Sequence, residues 1–307
     1  MNLVFKALLF LLMIQFCYGQ NFIEDRRFGS DTAGDSSGQF NAPQAIAVSQ
    51  NKIVYIVDTG NNRIQLFDLT GVFIKSIGGF GFTSDKFDRP IDIWVQSLIN
   101  IYVADYNNKR IQRYDGNMNY LSTLTSNDSR DAQFQFYETL SCAVNSQQDL
   151  FVLDAGDNKI IKFNRNGQTE RSFGDYESGD GQLIQPIQID IVSQKYLIIS
   201  DINHKAIMVY DFFGNFLRKI TSERWLAPSG LSVTDRGDIL VADSMAKKIF
   251  IISADFSSIK EIGTALQRPL QKPLDLACFS QTVAGQKVIK VYIIDTNNII
   301  IGNFINP

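Results

Sequence analysis

Short apolar runs alternate with clusters of Gly, Asn, Asp and Ser along nearly the whole chain. The runs are rich in Ile, Val, Leu, Phe and Tyr, and the polar clusters between them are turn formers, which is the pattern of β-strands joined by tight turns. No helical period interrupts the series. Around the first such group the pattern predicts strands at Ala45–Val48, Ile53–Val57, Arg63–Asp68 and Val72–Ile77.

The pattern repeats. Two or more apolar residues, an Asp, a short polar turn and a second apolar run occur six times, with the Asp at Asp58, Asp105, Asp154, Asp201, Asp243 and Asp295. The intervals are 47, 49, 47, 42 and 52 residues. Pro43, Pro90, Pro186 and Pro228 each precede their Asp by 15 residues; Thr139 takes that place in the third copy. In the sixth copy Pro273 lies 22 residues before Asp295, which puts seven extra residues near Ser280–Lys290. Self-similarity at this period means stacked or ring-packed units that cannot bury both sheet faces alone.

Four strands per copy and six copies predict an all-β, six-bladed β-propeller of four-stranded antiparallel blades. The last copy ends after its third strand, while residues 21–29 form a strand with no blade of its own. That strand matches Gly71–Gly78 in type and is expected to complete blade six beside the C-terminal strands, closing the ring by strand pairing. Residues 20–307 are read as one domain.

These residues resemble the NHL-repeat family of six-bladed propellers. The first copy carries Phe40-Asn-Ala-Pro-Gln-Ala-Ile-Ala-Val48 and then Val57-Asp-Thr-Gly-Asn-Asn-Arg-Ile-Gln-Leu-Phe67. The second copy repeats the latter pattern with Asn108, Arg110, Ile111 and Gln112. Later copies replace the Arg by Lys159, Lys205 and Lys247, and the sixth has Asn298. The resemblance covers residues 21–307. It implies a rigid platform that binds proteins or other polymers through loops, with no cofactor.

Charge and composition narrow the function. The formal net charge is −3 and the pI about 5.3, which disfavours a nucleic-acid partner, because phosphate binding needs a basic footprint. The single histidine, His204, excludes relatives that hold a metal or a substrate with several histidines. A metal-dependent lactonase of the gluconolactonase-like type, with a Glu/Asn/Asp site, remains as the enzymatic alternative. At the start, Lys6 followed by apolar Ala7–Phe16 and the small residues Cys17 and Gly19 have the form of a secretory signal peptide, cut after Gly19. The expectation is an exported monomer, in the medium, a lumen or a periplasm, with no membrane span. Asn127 heads the one Asn-x-Ser/Thr sequon.

In a four-stranded antiparallel blade, the turn between strands two and three shares a face with the loop leading to the next blade. Function on such scaffolds sits in loops, so the candidate binding residues are Tyr106, Asn107, Asp175, Tyr176, Glu177, Asp180, His204 and Met245. The six repeated Asp residues are read as structural, each accepting N–H bonds from the residues just after it. Asn61, Asn107 and Asn297 are expected to supply left-handed turn backbone, and Arg63 and Arg110 to pair with neighbouring turns. Cys142 and Cys278 fall on innermost strands of opposite blades, too far apart for a disulfide, and are expected to be free thiols. No metal is expected.

Overall fold

The structure is a computed structural model that describes residues 22–95, 100–128, 131–283 and 285–304. The leader-like segment Met1–Gly19, Gln20 and the side chain of Asn127 lie outside what is described. The chain opens with β1 (Phe22–Gly29). Blade 1 is β2 (Ala45–Val48), β3 (Ile53–Asp58), β4 (Arg63–Asp68) and β5 (Phe73–Gly78). Blade 2 is β6 (Pro90–Val95), β7 (Ile101–Asp105), β8 (Arg110–Tyr114) and β9 (Tyr120–Thr125). Blade 3 is β10 (Thr139–Val144), β11 (Leu150–Asp154), β12 (Lys159–Phe163) and β13 (Thr169–Phe173). Blade 4 is β14 (Pro186–Val192), β15 (Tyr196–Asp201), β16 (Ala206–Asp211) and β17 (Phe216–Thr221). Blade 5 is β18 (Pro228–Val233), β19 (Ile239–Asp243), β20 (Lys248–Ile252) and β21 (Ile259–Glu261). After β22 (Thr264–Ala265), blade 6 is built from β23 (Pro273–Val283), β24 (Gln286–Asp295), β25 (Asn298–Phe304) and β1. The first blade's strands begin and end within a residue of the positions expected from sequence.

Each innermost strand is first in its blade and starts at the repeated Pro or Thr, or two residues after it in blade 1. Proline is tolerated there because the first strand residue needs no ladder N–H. The core is divided into wedges between adjacent blades. Val57, Ile64 and Tyr55 of blade 1 pack on Ile93, Val103 and Tyr114 of blade 2, and equivalent clusters fill the other five gaps. This is why the strands read as nearly continuous apolar runs: both faces are covered.

Ring closure is as the sequence implies. β1 runs antiparallel to β25 from Phe22↔Phe304 to Gly29↔Asn298, and β22 adds a short parallel pair outside it. Phe22 is buried in the wedge between blades 5 and 6, while Phe28 stacks 5.0 Å from the Phe67 ring in the wedge between blades 6 and 1. Arg27 pairs with Glu24 and, at 3.6 Å, with Asp295. The seven-residue insertion lengthens the β23–β24 hairpin, which stays in register out to Val283↔Gln286.

Candidate functional site

Each repeated Asp ends the second strand of its blade and is buried. Its carboxylate reaches back to the loop that leads into the same blade. Asp58 accepts from the Asn41 N–H at 2.7 Å, Asp105 from Asp88 at 2.8 Å and Asp154 from Tyr137 and Glu138 at 2.9 and 2.7 Å. Asp201 accepts from Ile184 at 2.7 Å, Asp243 from Leu226 and Ala227 at 2.8 and 2.9 Å, and Asp295 from Gln271 and Lys272 at 2.9 and 2.6 Å. The expected bonds from backbone just after the Asp are found in blades 3, 4 and 5, from Asp157, His204 and Ala246. Tethering of the upstream loop is therefore the task that all six share. Burial raises the Asp105 and Asp154 carboxyls despite these donors.

Two turn expectations are corrected. Asn61, Asn107 and Asn297 do not hold the left-handed positions; Asn62, Lys109, Asn158, Lys205, Lys247 and Thr296 do. The Asn side chains act as donors and acceptors instead: Asn61 donates to Asp58 and to the Gly34 carbonyl, Asn107 donates to Asp88, and Asn297 accepts from the Ala42 N–H. Arg63 and Arg110 pair with the Asp of their own blade, each at 2.7 Å, rather than with neighbouring turns. Their remaining donors hold carbonyls of the loop leading into that blade: Asp35, Ser36 and Gln39 for Arg63, and Phe82, Thr83 and Lys86 for Arg110. The planar guanidinium supplies this fan of donors, which a lysine would not.

The tether fixes backbone two residues before each repeated Pro or Thr, in blades 3, 4 and 5 beneath an exposed apolar side chain. In blades 3, 4 and 5 those side chains are Tyr137, Ile184 and Leu226, exposed by 42, 42 and 44%. They form an apolar arc over three consecutive blades. Tyr176 and Met245, also on this loop face, are exposed by 77 and 68%. Sequence reasoning missed the arc, although its signal is simple: a large apolar residue two before the repeated Pro or Thr.

The structure groups part of the candidate set. Asp175, Tyr176, Glu177 and Asp180 lie on the loop between blades 3 and 4, where Asp175 accepts from Ser178 and Tyr176 donates to Glu177. His204, on the blade 4 turn, meets the same loop: Nε2 lies 2.9 Å from the Gln182 carbonyl and Nδ1 2.7 Å from the Lys219 ammonium. Both ring nitrogens are thus engaged, with the carbonyl demanding an Nε2–H. Tyr106 and Asn107 stand two blades away; the Arg89 guanidinium covers the Tyr106 ring and its hydroxyl donates to Glu138 at 2.7 Å. Met245 is on blade 5. Among the described residues no three His, Cys, Asp or Glu side chains stand close enough to hold a metal ion.

The ring axis carries a second polar constellation. Two residues beyond each repeated Pro or Thr stand Ala45, Asp92, Ser141, Gln188, Gly230 and Asp275, so long polar and small residues alternate from blade to blade. Each long side chain crosses to the next blade. Asp92 accepts from the Ser141 hydroxyl, Gln188 from the Leu231 N–H, and Asp275 from the Ile46 N–H. The Gln188 amide also reaches both Asp92 and Asp275. Gly230 is small by necessity, because a Cβ there would sit 2.4 Å from the Asp275 Cα. Beyond this layer a cavity of about 740 Å³ opens toward the opposite face, that of the β23–β24 hairpin tip, between walls that include Val48, Trp94, Asp190, Cys278 and Phe279. Burial pushes Asp92 up to about 6 and Asp190 up to about 7, and lifts Asp275 well above the carboxylate range. Cys142 and Cys278 are free; burial raises both thiols, Cys278 to about 11.

A ring of six such blades, with tethered loops on one face and hairpins on the other, defines the class: a six-bladed β-propeller of the repeat type. Its first blade resembles an NHL repeat. The NHL repeat family matches residues 40–67, the Pro, Asp and Arg of blade 1 included. A segment of 131 residues, 42% of this chain, is 27% identical to the protein brain tumor of Drosophila melanogaster and covers 13% of that protein. A segment of 106 residues, 34% of this chain, is 23% identical to the human E3 ubiquitin-protein ligase NHLRC1 and covers 27% of it. The match therefore spans only about a quarter or less of these relatives. A catalytically inactive virginiamycin B lyase from Staphylococcus aureus superposes with a TM-score of 0.60 over 91% of this chain and 99% of the lyase, at 13% identity. That likeness is one of fold.

Proposed function

We propose that this protein is an exported, non-enzymatic binding propeller whose loop face docks another protein or an extracellular polymer. The carrying observation is the arc of Tyr137, Ile184 and Leu226, exposed to nearly the same degree at equivalent positions and flanked by Tyr176 and Met245. Exposed apolar groups that are clustered rather than scattered mark interaction surfaces, and these are held on tethered backbone, so little ordering entropy is lost on binding. The acidic loop with Asp175, Glu177 and Asp180 borders the arc and favours a basic edge on the partner. Among the described residues no helix is long and apolar enough to cross a membrane. Export rests on the leader-like Met1–Gly19 alone, and N-terminal sequencing of the protein from its source is expected to start at Gln20.

The test is capture on the immobilised protein from secreted material of its source, beside a variant with Asp175, Glu177 and Asp180 changed to Ala. A partner held by the parent and weakened in the variant supports docking at this face. A partner held equally by both places the contact away from the acidic loop.

A further inference from the structure

The cavity on the axis lies on the face opposite the docking arc and is independent of it. Its walls carry Asp92 and Asp190, and Asp275 stands beside Asp92 at its inner end. Among the described residues none of the three has an ion-pair partner, and Asp92 is the charged group that acts on both Asp190 and Asp275; the exposed Arg236 also lines the cavity. Asp190 accepts from the backbone N–H groups of Ile191 and Val233 and faces no cation. Asp275 is 2% exposed, and its Oδ1 has no hydrogen-bond partner. On the wall beside them the Trp94 indole N–H is also buried without a partner. The layer at the inner end is closed, since Ala45, Asp92, Ser141 and Asp275 are all buried. Access is from the hairpin face, where Gln50, Ser193, Gln194 and Asp235 form an exposed rim. The extended β23–β24 hairpin builds part of that rim: Phe279 and Ser280 line the cavity, and Lys287 pairs with Asp235 across to blade 5.

Buried carboxyl groups with no ion-pair partner are neutralised either by protons or by a bound cation, because an unpaired buried charge costs several kcal/mol. The volume is that of a small organic molecule. The lining includes the aromatic Trp94 and Phe279 beside Val48, Ile93, Val95 and Ile191, which suits a cation with an apolar body. We propose that the axial cavity binds an organic ammonium or guanidinium ligand from the hairpin face, with Asp190 as the main anion and Trp94 and Phe279 against the ligand's body.

The test is isothermal titration calorimetry of the intact protein with 2-phenylethylamine at pH about 8 and about 5.5, where the amine stays protonated. The charged or titratable groups lining the cavity are Asp92, Asp190, Asp235, Arg236 and Cys278, with Asp275 beside Asp92 and Lys287 paired to Asp235 at the rim; burial raises Asp92 to about 6 and Asp190 to about 7, within that interval. Saturable one-to-one binding at the higher pH, weakened about tenfold or more at the lower pH, is expected, with a comparable loss in Asp190→Asn. The neutral 2-phenylethanol should bind at least about tenfold more weakly. Absence of binding at the higher pH overturns the proposal. So does equal binding of the alcohol, which would leave an apolar cavity only, or unchanged affinity in a folded Asp190→Asn protein. Calcium binding that displaces nothing and occurs without amine binding also overturns it. The pH comparison needs no variant, so it stands if Asp190→Asn fails to fold.

Discussion

Asp190 and Asp105 show how differently one residue type serves this ring. Asp190 is a carboxyl on the axial wall whose burial lifts it from 3.8 to about 7, with Asp92 lifted to about 6. A raised folded-state value means that protonation favours the folded form. The stability linked to these groups is fully present below pH about 4 and lost as pH rises through about 6 to 7. Melting temperature in the absence of ligand is therefore expected to fall between pH 5 and 8. Asp190→Asn should remove part of that slope and stabilise the ring at pH 8 by about 2 kcal/mol. A flat profile in the parent protein would show that the axial carboxyls do not carry protons. Asp105 has the opposite role. It holds the Asp88 N–H, Asn108, Arg110 and Gln112 at once. Asp105→Ala would leave a nearly buried Arg110 without its anion and should cost about 3–5 kcal/mol, read by urea unfolding. A loss below about 1 kcal/mol would mean that the loop is held without the Asp.

At the scale of elements, β1 is the piece on which closure depends. It pairs along its whole length with β25, buries Phe22 and Phe28 in two different wedges, and is itself flanked by β22. Removing residues 22–29 would expose the β25 edge and empty two aromatic sites, the buried Phe22 worth roughly 1.5–3 kcal/mol and the half-buried Phe28 less. The truncated protein is expected to melt lower and to elute as higher oligomers, since open strand edges recruit other strands. Elution and melting like the parent would contradict closure by strand pairing. The β23–β24 hairpin is a different kind of element. Its paired tip extends past the wedge cores, so shortening it should spare ring stability while widening the cavity mouth.

The whole molecule shows what the chain made legible and why the rest was hidden. Strands, blade number and closure follow from apolar runs and from the fixed distance between Pro and Asp, because both are local and recur around the ring. The structural weight of the Asp residues was legible. Their reach to backbone 16 or 17 residues upstream in blades 1 to 5, and 23 or 24 in blade 6, was not. That contact depends on how a blade folds back on its own loop. The axial layer was hidden for a related reason. Asp92, Gln188 and Asp275 are isolated polar residues in apolar strands, and only ring closure sets them beside Ser141, Leu231 and Ile46. The docking arc needed both facts at once, the tether and the ring.

That arc is the centre of the proposed function, and a paired-face comparison tests it most directly. One variant carries Tyr137→Ser, Ile184→Ser and Leu226→Ser on the loop face. The other carries Phe213→Ser and Leu217→Ser, exposed apolar positions on the blade 4 outer hairpin. The partner captured by the parent protein is quantified on both by mass spectrometry, with melting curves confirming that each ring is intact. At least about a tenfold loss of partner on the loop-face variant is expected, with parent-like capture on the other. Full retention on the loop-face variant, or loss confined to the outer-hairpin variant, would contradict docking at the arc.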